Sequence, residues 1–353
     1  MEIHELLRTA LTSSASDVHL VPGQPPIMRV HTMLEPIPGY DVFTKDVAEE
    51  LIKTLVEPAR MERLKNHLDL DFGLESPGNG RFRVNAHYQK NGLGFAFRAI
   101  PQKVPALADL NLPAGVQEFV KYPRGLVLVT GATGSGKSTT LASMINAMNQ
   151  SINRHIITLE DPIEYELVSK TCLIEQREVG QDVESFASGL KHALRQDPDV
   201  ILVGEMRDLE TTSAAITAAE TGHLVLSTLH TQSAHQTLAR IIDIYPPAQQ
   251  NQIRSMLATT LRAVVTQTLF RRHDIKGMAP ACEIMVCTSA IANCIRENRL
   301  HEIPNIIETS RQQGMQLLDD SIKGLVLNGL ISPKEALTKA NHPETLKQAL
   351  GLV

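Results

Sequence analysis

No tryptophan occurs in the 353 residues, and aromatic side chains make up only 4% of them. Together with a formal net charge of −5, that scarcity argues against a protein whose main work is gripping nucleic acid. Such a protein needs a basic face for phosphates and aromatic platforms for bases. Cysteine is scarce as well. Cys172, Cys282, Cys287 and Cys294 include no CxxC pair, which disfavours a disulfide frame or a zinc site and fits a reduced set of small core residues. No apolar run approaches the ~18 residues of a transmembrane helix. Met1-Glu-Ile-His-Glu5 lacks the basic stretch and apolar core of a signal peptide, so the expected location is cytoplasmic.

What is present is ordinary globular composition, 42% hydrophobic and 21% charged, with length for two domains at roughly 100–200 residues each. The pattern changes near residue 100. Before it, apolar spacing predicts helices over Ile3–Leu11, Val47–Leu55 and Ala59–Leu68. Alternation predicts strands at 17–21, 27–30, 69–74, 80–88 and 92–100, an α+β domain with a small antiparallel sheet. Pro101, Pro105 and Pro113 mark residues 101–113 as a connector. From 114 to 353, the apolar runs Leu126–Val129, Ile156–Leu159, Val200–Val203 and Leu224–Leu226 alternate with helical segments, which predicts a parallel α/β sheet. Beyond Pro246-Pro247 the chain is expected to be mainly helical, roughly 247–268, 288–297, 314–328 and 333–339.

The most specific chemical signal is Gly131-Ala-Thr-Gly-Ser-Gly-Lys-Ser138, a P-loop (Walker A) motif with an apolar strand before it and a helix after it. Its glycines let backbone N–H groups curl round phosphates at a helix N-terminus. Gly131, Thr133, Gly134, Ser135, Gly136, Lys137, Ser138 and Thr139 are therefore the candidate ATP-binding residues. Lys137 would reach the β- and γ-phosphates, and Ser138 offers its hydroxyl to Mg²⁺. A metal-handling carboxylate is expected at the end of a neighbouring strand. Asp199-Val-Ile-Leu-Val-Gly-Glu205 supplies Glu205, which would assist Mg²⁺ directly or through water. Gly204 stands where a Walker-B aspartate is common. Glu160, Asp161 and Glu164 crowd the end of another predicted strand, where a cation would relieve their repulsion.

In order and spacing, the P-loop, Ile157-Thr-Leu-Glu-Asp-Pro-Ile-Glu164, the stretch Leu194–Asp208 and Thr221-Gly-His-Leu-Val-Leu-Ser-Thr-Leu-His230 resemble the four boxes of the secretion-superfamily motor ATPases. The resemblance runs from about Ser16 to Leu330. It implies an N-terminal PAS-like α+β domain, a RecA-like P-loop core with a helical C-terminal part, and a homohexameric ring. Within that superfamily the chain most resembles the type IV pilus retraction ATPases (PilT-type twitching motility proteins): it is short, lacks the four-cysteine insert, and carries Ala290-Ile-Ala-Asn-Cys-Ile-Arg-Glu297. That box is similar to the AIRNLIRE box tied to retraction, with Ala292 in place of Arg and Cys294 in place of Leu.

By that resemblance Glu164 is the catalytic glutamate that polarises the attacking water. Glu205 is the Walker-B glutamate, and His230 senses the γ-phosphate. Arg98, Arg81 and Arg83 approach the nucleotide from the N-terminal domain; their guanidinium groups suit charge developing on phosphate. ATP would close the two domains and hydrolysis release them. The implied partners are an inner-membrane pilus platform protein and a paralogous retraction ATPase, with the ring peripheral to the membrane at its cytoplasmic face and no nucleic acid involved. An extension or type II secretion ATPase, a RecA-like nucleic-acid motor and a non-hydrolysing nucleotide switch are the alternatives.

Overall fold

The computed structural model describes residues 2–30, 33–100, 103–275 and 277–352; Pro101 and Gln102 of the expected connector lie outside them. By internal packing the chain divides into two compact units. The first holds residues 1–103 with Pro162–Glu166, and the second holds Val104–Asp161 with Leu167–Val353.

The first unit runs α1 (Ile3–Thr12), β1 (Asp17–Leu20), β2 (Ile27–Val30), β3 (Met33–Pro36), α2 (Lys45–Leu55), α3 (Pro58–His67), β4 (Asp69–Ser76), β5 (Gly80–Gln89) and β6 (Gly92–Ala99). Its six strands form one antiparallel sheet in the order β3-β2-β1-β6-β5-β4. The chain's few aromatics are concentrated here. Phe43, Phe72, Phe82, Phe95 and Phe97 all enter its core, and Phe95 stacks on Phe97 with ring centroids 6.0 Å apart. Alternation does the sorting: Phe82, Val84 and Ala86 are buried, while Arg81, Arg83 and Asn85 lie on the opposite, partly exposed face. Strand β3 was not expected. Its four residues are all exposed, so no buried face prints an alternation in the sequence.

The second unit contains α4 (Gly115–Phe119), β7 (Gly125–Thr130), α5 (Lys137–Ser151), β8 (His155–Glu160), β9 (Leu173–Glu178), α6 (Phe186–Ala193), β10 (Val200–Val203), α7 (Leu209–Glu220) and β11 (Leu224–Leu229). It continues with α8 (Ala234–Asp243), α9 (Pro247–Thr260), β12 (Leu261–Arg271), β13 (Met278–Val286), α10 (Ser289–Arg296), α11 (Ile303–Thr309), α12 (Leu318–Leu327), α13 (Pro333–Lys339) and α14 (Pro343–Ala349). The sheet order is β13-β12-β7-β11-β10-β8-β9. Every neighbouring pair is parallel except β12 with β13. Both faces are covered: Leu126, Leu128, Ile157, Ile201 and Val225 enter one core, and Val127, Val129, Ile156, Leu202 and Leu226 enter the other. That is why these strands read as unbroken apolar runs.

One expectation is corrected here. The helix predicted over 247–268 stops at Thr260, and residues 261–271 form β12, paired with β7 and with β13. Val264, Val265, Thr266 and Thr268 are β-branched and favour a strand. Burial on both faces removes the alternation that would have separated strand from helix. Strands β9 and β13 also escaped the sequence pattern.

β13 carries an unusual residue. Glu283 is only 4% exposed, and burial, with the Asp319 charge adding to it, pushes its carboxyl from an ordinary 4.5 up to about 7. A raised carboxyl pKa means that the folded chain holds a proton the unfolded chain has lost. Stability therefore falls as pH rises above about 4.5 and levels off past about 7. The displacement corresponds to roughly 3 kcal/mol. Thermal unfolding between pH 5 and pH 8 should show Glu283→Gln losing this part of the pH dependence and melting above the wild type at pH 8.

Candidate functional site

Parallel pairing puts the C-terminal ends of β7, β11, β10 and β8 at one edge of the sheet, where ligands bind in open α/β folds. Thr130, the last residue of β7, lies opposite Leu229, the last of β11. Gly131 and His230 therefore leave the sheet side by side. Val203 lies opposite Ser227 and Leu159, so Glu205 emerges beside both.

The loop after β7 is shaped by glycine where nothing else fits. Gly131, Gly134 and Gly136 have φ of +138°, +76° and +88°, in the left-handed half of the map that side chains resist. At Gly131 a Cβ would also come within 2.2 Å of the Gln267 carbonyl oxygen and 2.6 Å of Ser135 Oγ. The loop is thus pressed onto β12. Gln267, itself buried, accepts a hydrogen bond from Thr140 Oγ1 at 2.9 Å; Thr130 Oγ1 and Thr266 Oγ1 lie 2.9 Å apart. The sequence pattern hides Gln267 and Thr266 as site residues, because over 247–268 it predicts a helix.

Lys137 opens the 15-residue helix α5. Its Nζ donates to the carbonyls of Gly131 at 2.9 Å and Ala132 at 3.0 Å, which stand in for phosphate oxygens in holding the ammonium across the loop. Among the described residues, Ser135 Oγ is buried without a hydrogen-bond partner. A buried orphan hydroxyl is costly unless something polar meets it. An orphaned donor, a glycine cradle and a helix N-terminus fit a triphosphate. Ser138 follows Lys137 in the first turn of α5, where its hydroxyl would suit holding a cation.

Glu205 is tied on two sides. Arg207 Nε lies 2.6 Å from its Oε2 and His230 Nε2 lies 3.4 Å from the same oxygen. The Glu205 side chain is 17% exposed against 42% for His230. Backbone links fix the pair: Thr228 Oγ1 donates to the Gly204 carbonyl at 2.6 Å, and the Met206 N–H donates to the Thr228 carbonyl at 3.1 Å. Gly204 is a matter of space. A Cβ there would stand 3.2 Å from the Phe186 ring and 3.3 Å from the Leu159 carbonyl, so an aspartate has no room without displacing both. His223 bonds the Ala218 carbonyl at 3.0 Å, a contact at the end of α7.

The second unit thus gathers the P-loop, Glu205 and His230, whereas Glu164, Arg81, Arg83 and Arg98 belong to the first. In the first sheet, Arg29, Asp17, Arg98 and Arg83 fall in one cross-strand row. Arg98 Nε donates to Asp17 Oδ1 at 2.9 Å, with 70% of the Arg98 side chain exposed; Arg83 lies 3.8 Å from Asp71. In α10, Ile291, Ala292, Cys294 and Ile295 are all buried. The position that carries Arg in the AIRNLIRE box therefore faces the core in this chain.

A P-loop at the edge of a mainly parallel sheet, with a strand-end glutamate and histidine beside it, defines a nucleoside-triphosphate site. The family model described as type II/IV secretion system protein matches residues 106–338. The chain is 46% identical to the type IV pilus retractation ATPase PilT of Pseudomonas aeruginosa, over 98% of this chain and 99% of that one. It is 43% identical to a twitching motility protein of Neisseria gonorrhoeae, over 98% and 92%. A crystal structure of the pilus retraction motor PilT with bound ADP superposes with a TM-score of 0.91 at 40% identity, covering 99% of each chain. The chain belongs to the type II/IV secretion system protein family.

The close approach at Gly131 makes a direct test. Gly131→Ala should lower affinity for a fluorescent ATP analogue by about 5- to 150-fold while circular dichroism stays native, since strain at one loop position costs about 1–3 kcal/mol and misplaces the cradle. Unchanged affinity would mean that the loop does not need this geometry.

Proposed function

We propose that this chain is the ATP-hydrolysing motor that retracts a type IV pilus. The observation that carries the reading is similarity along almost the whole of both chains to a retraction ATPase, 46% identity over 98% and 99%. It works as a homohexamer, peripheral to the cytoplasmic face of the inner membrane, on a platform protein through which pilin subunits return to the membrane. A paralogous retraction ATPase is a further candidate partner. Among the described residues no helix is long and apolar enough to cross a membrane, which suits a peripheral motor.

In this reading the N–H groups of Thr133 to Thr139 hold the phosphates. Lys137 leaves its loop carbonyls for phosphate oxygens. Ser138 and Glu205 would hold Mg²⁺, which would supply charge neutralisation on the phosphates. Glu164 orients and polarises the attacking water. His230, already against Glu205, reads the terminal phosphate, and Arg98, with Arg81 and Arg83, offsets charge that develops there. Retraction is favoured over extension because no four-cysteine set occurs in the core: the cysteines are buried or half-buried singly, and burial pushes the Cys282 and Cys287 thiols up to about 12 and about 11, far from metal-binding thiolates.

Two experiments test this. Deleting the gene should leave abundant surface pili on cells that no longer twitch; bald cells would point to extension, and unchanged pili and motility would remove the pilus assignment. Glu164→Gln should cut turnover by roughly 100-fold or more, the usual worth of a positioned base, with ATP binding intact. Undiminished turnover would sink the role given to Glu164.

A further inference from the structure

Glu283 is a carboxylate in a place built for an apolar residue. Along β13 its neighbours Ala281, Cys282, Ile284 and Met285 are fully buried. Burying a charge there is unfavourable unless its oxygens are well used. Oε1 accepts the backbone N–H of Ala234, the first residue of α8, at 2.6 Å. That bond offsets only part of the cost, since burial still pushes the carboxyl well above its ordinary value. Glu283 therefore ties the N-terminus of α8 to β13.

The start of α8 does not need Glu283 as a cap. Ser233 already serves, its Oγ accepting from the Gln236 N–H. What Glu283 adds is a fixed point on the sheet. It lies opposite Thr266, Thr266 lies opposite Thr130, and Thr130 lies opposite Leu229. That row ends at the residue before His230. The segment from His230 to Ser233 is thus pinned at both ends: by Leu229, paired to the strand that feeds the P-loop, and by Ala234, held through Glu283.

We propose that Glu283 is a positioning residue for ATP hydrolysis: by holding Ala234 to β13 it fixes the turn that carries His230. This rests on the reading of His230 as the residue that senses the terminal phosphate. It uses no contact between Glu283 and nucleotide.

The test compares the wild-type full chain with Glu283→Leu, Glu283→Gln, His230→Ala and the double variant of Glu283→Leu with His230→Ala. Steady-state kcat and KM, affinity for a fluorescent ATP analogue and melting temperature are measured for each. Glu283→Leu, which removes the acceptor, should lower kcat about fivefold or more, with KM and analogue affinity within about twofold of wild type. Glu283→Gln, whose amide oxygen can still accept the Ala234 N–H, should keep kcat within about twofold of wild type. The double variant should be no slower than His230→Ala within about twofold, since residues acting as one unit do not add. Wild-type turnover in Glu283→Leu would overturn the proposal; so would losses that multiply in the double variant, or a Glu283→Gln as slow as Glu283→Leu. Full turnover in His230→Ala alone would overturn the reading of His230 and this inference with it, an outcome distinct from an inert Glu283→Leu beside an impaired His230→Ala.

Discussion

Hydrogen bonding between β7 and its parallel neighbours, β11 on one side and β12 on the other, is the constraint on which the rest of the second unit depends. Parallel strands share a direction, so whatever follows them leaves at the same edge. The P-loop after β7, His230 after β11, Glu205 after β10 and Glu160 at the end of β8 are far apart in sequence, yet the ladder sets them in a row. The pairing is maintained by burial on both faces, with apolar side chains entering two separate cores. A slip of one residue in such a ladder would exchange those two sets and carry the loops with them.

Within that frame, glycine decides how closely backbones approach. Gly131 lets the phosphate loop rest against the Gln267 carbonyl, and Gly204 lets the Glu205 segment pass the Phe186 ring. Side-chain hydroxyls then tie neighbouring strand ends together: Thr130 to Thr266, Thr228 to the Gly204 carbonyl, Ser227 to the Val203 carbonyl. These bonds are buried or nearly so, where a lost partner is expensive. A site held this way places charged groups without needing a strong ion pair. Glu205, between Arg207 and His230, is oriented by the backbone on which it stands.

The first unit follows the other sheet logic. Antiparallel strands with one buried face leave polar residues on the opposite face, and the register gathers Arg29, Asp17, Arg98 and Arg83 into one row. Asp17 sits between two arginines, and its carboxyl is held below its ordinary value: burial raises it, but hydrogen bonds from Arg98 and Ser16 and the charges of Arg98 and His19 together outweigh that cost. The pair keeps Arg98 extended across the sheet face while most of its length remains in solvent.

Much of this was legible in the residues alone. The P-loop, Glu205 at a strand end and the alternation that pairs Arg81 with Arg83 all follow from local spacing, because a turn, a helix start or a strand face is settled within a few residues; His230 came from the family resemblance. Strands β12 and β13 were not legible. A strand buried on both faces has no period to distinguish it from a buried helix, and β3, with no buried face, has no period at all. Gln267, Thr266 and Glu283 were lost with those strands, since their importance lies in what they touch across the sheet. The order β13-β12-β7-β11-β10-β8-β9 is likewise a product of long-range pairing. By itself the sequence determined which groups could hold a triphosphate and which helices and strands carry them. Only the tertiary structure decided which distant strands lie side by side, which glycines are pressed against a backbone, and that one buried carboxyl on β13 holds the start of α8, because each of these depends on contacts between residues that local spacing does not encode.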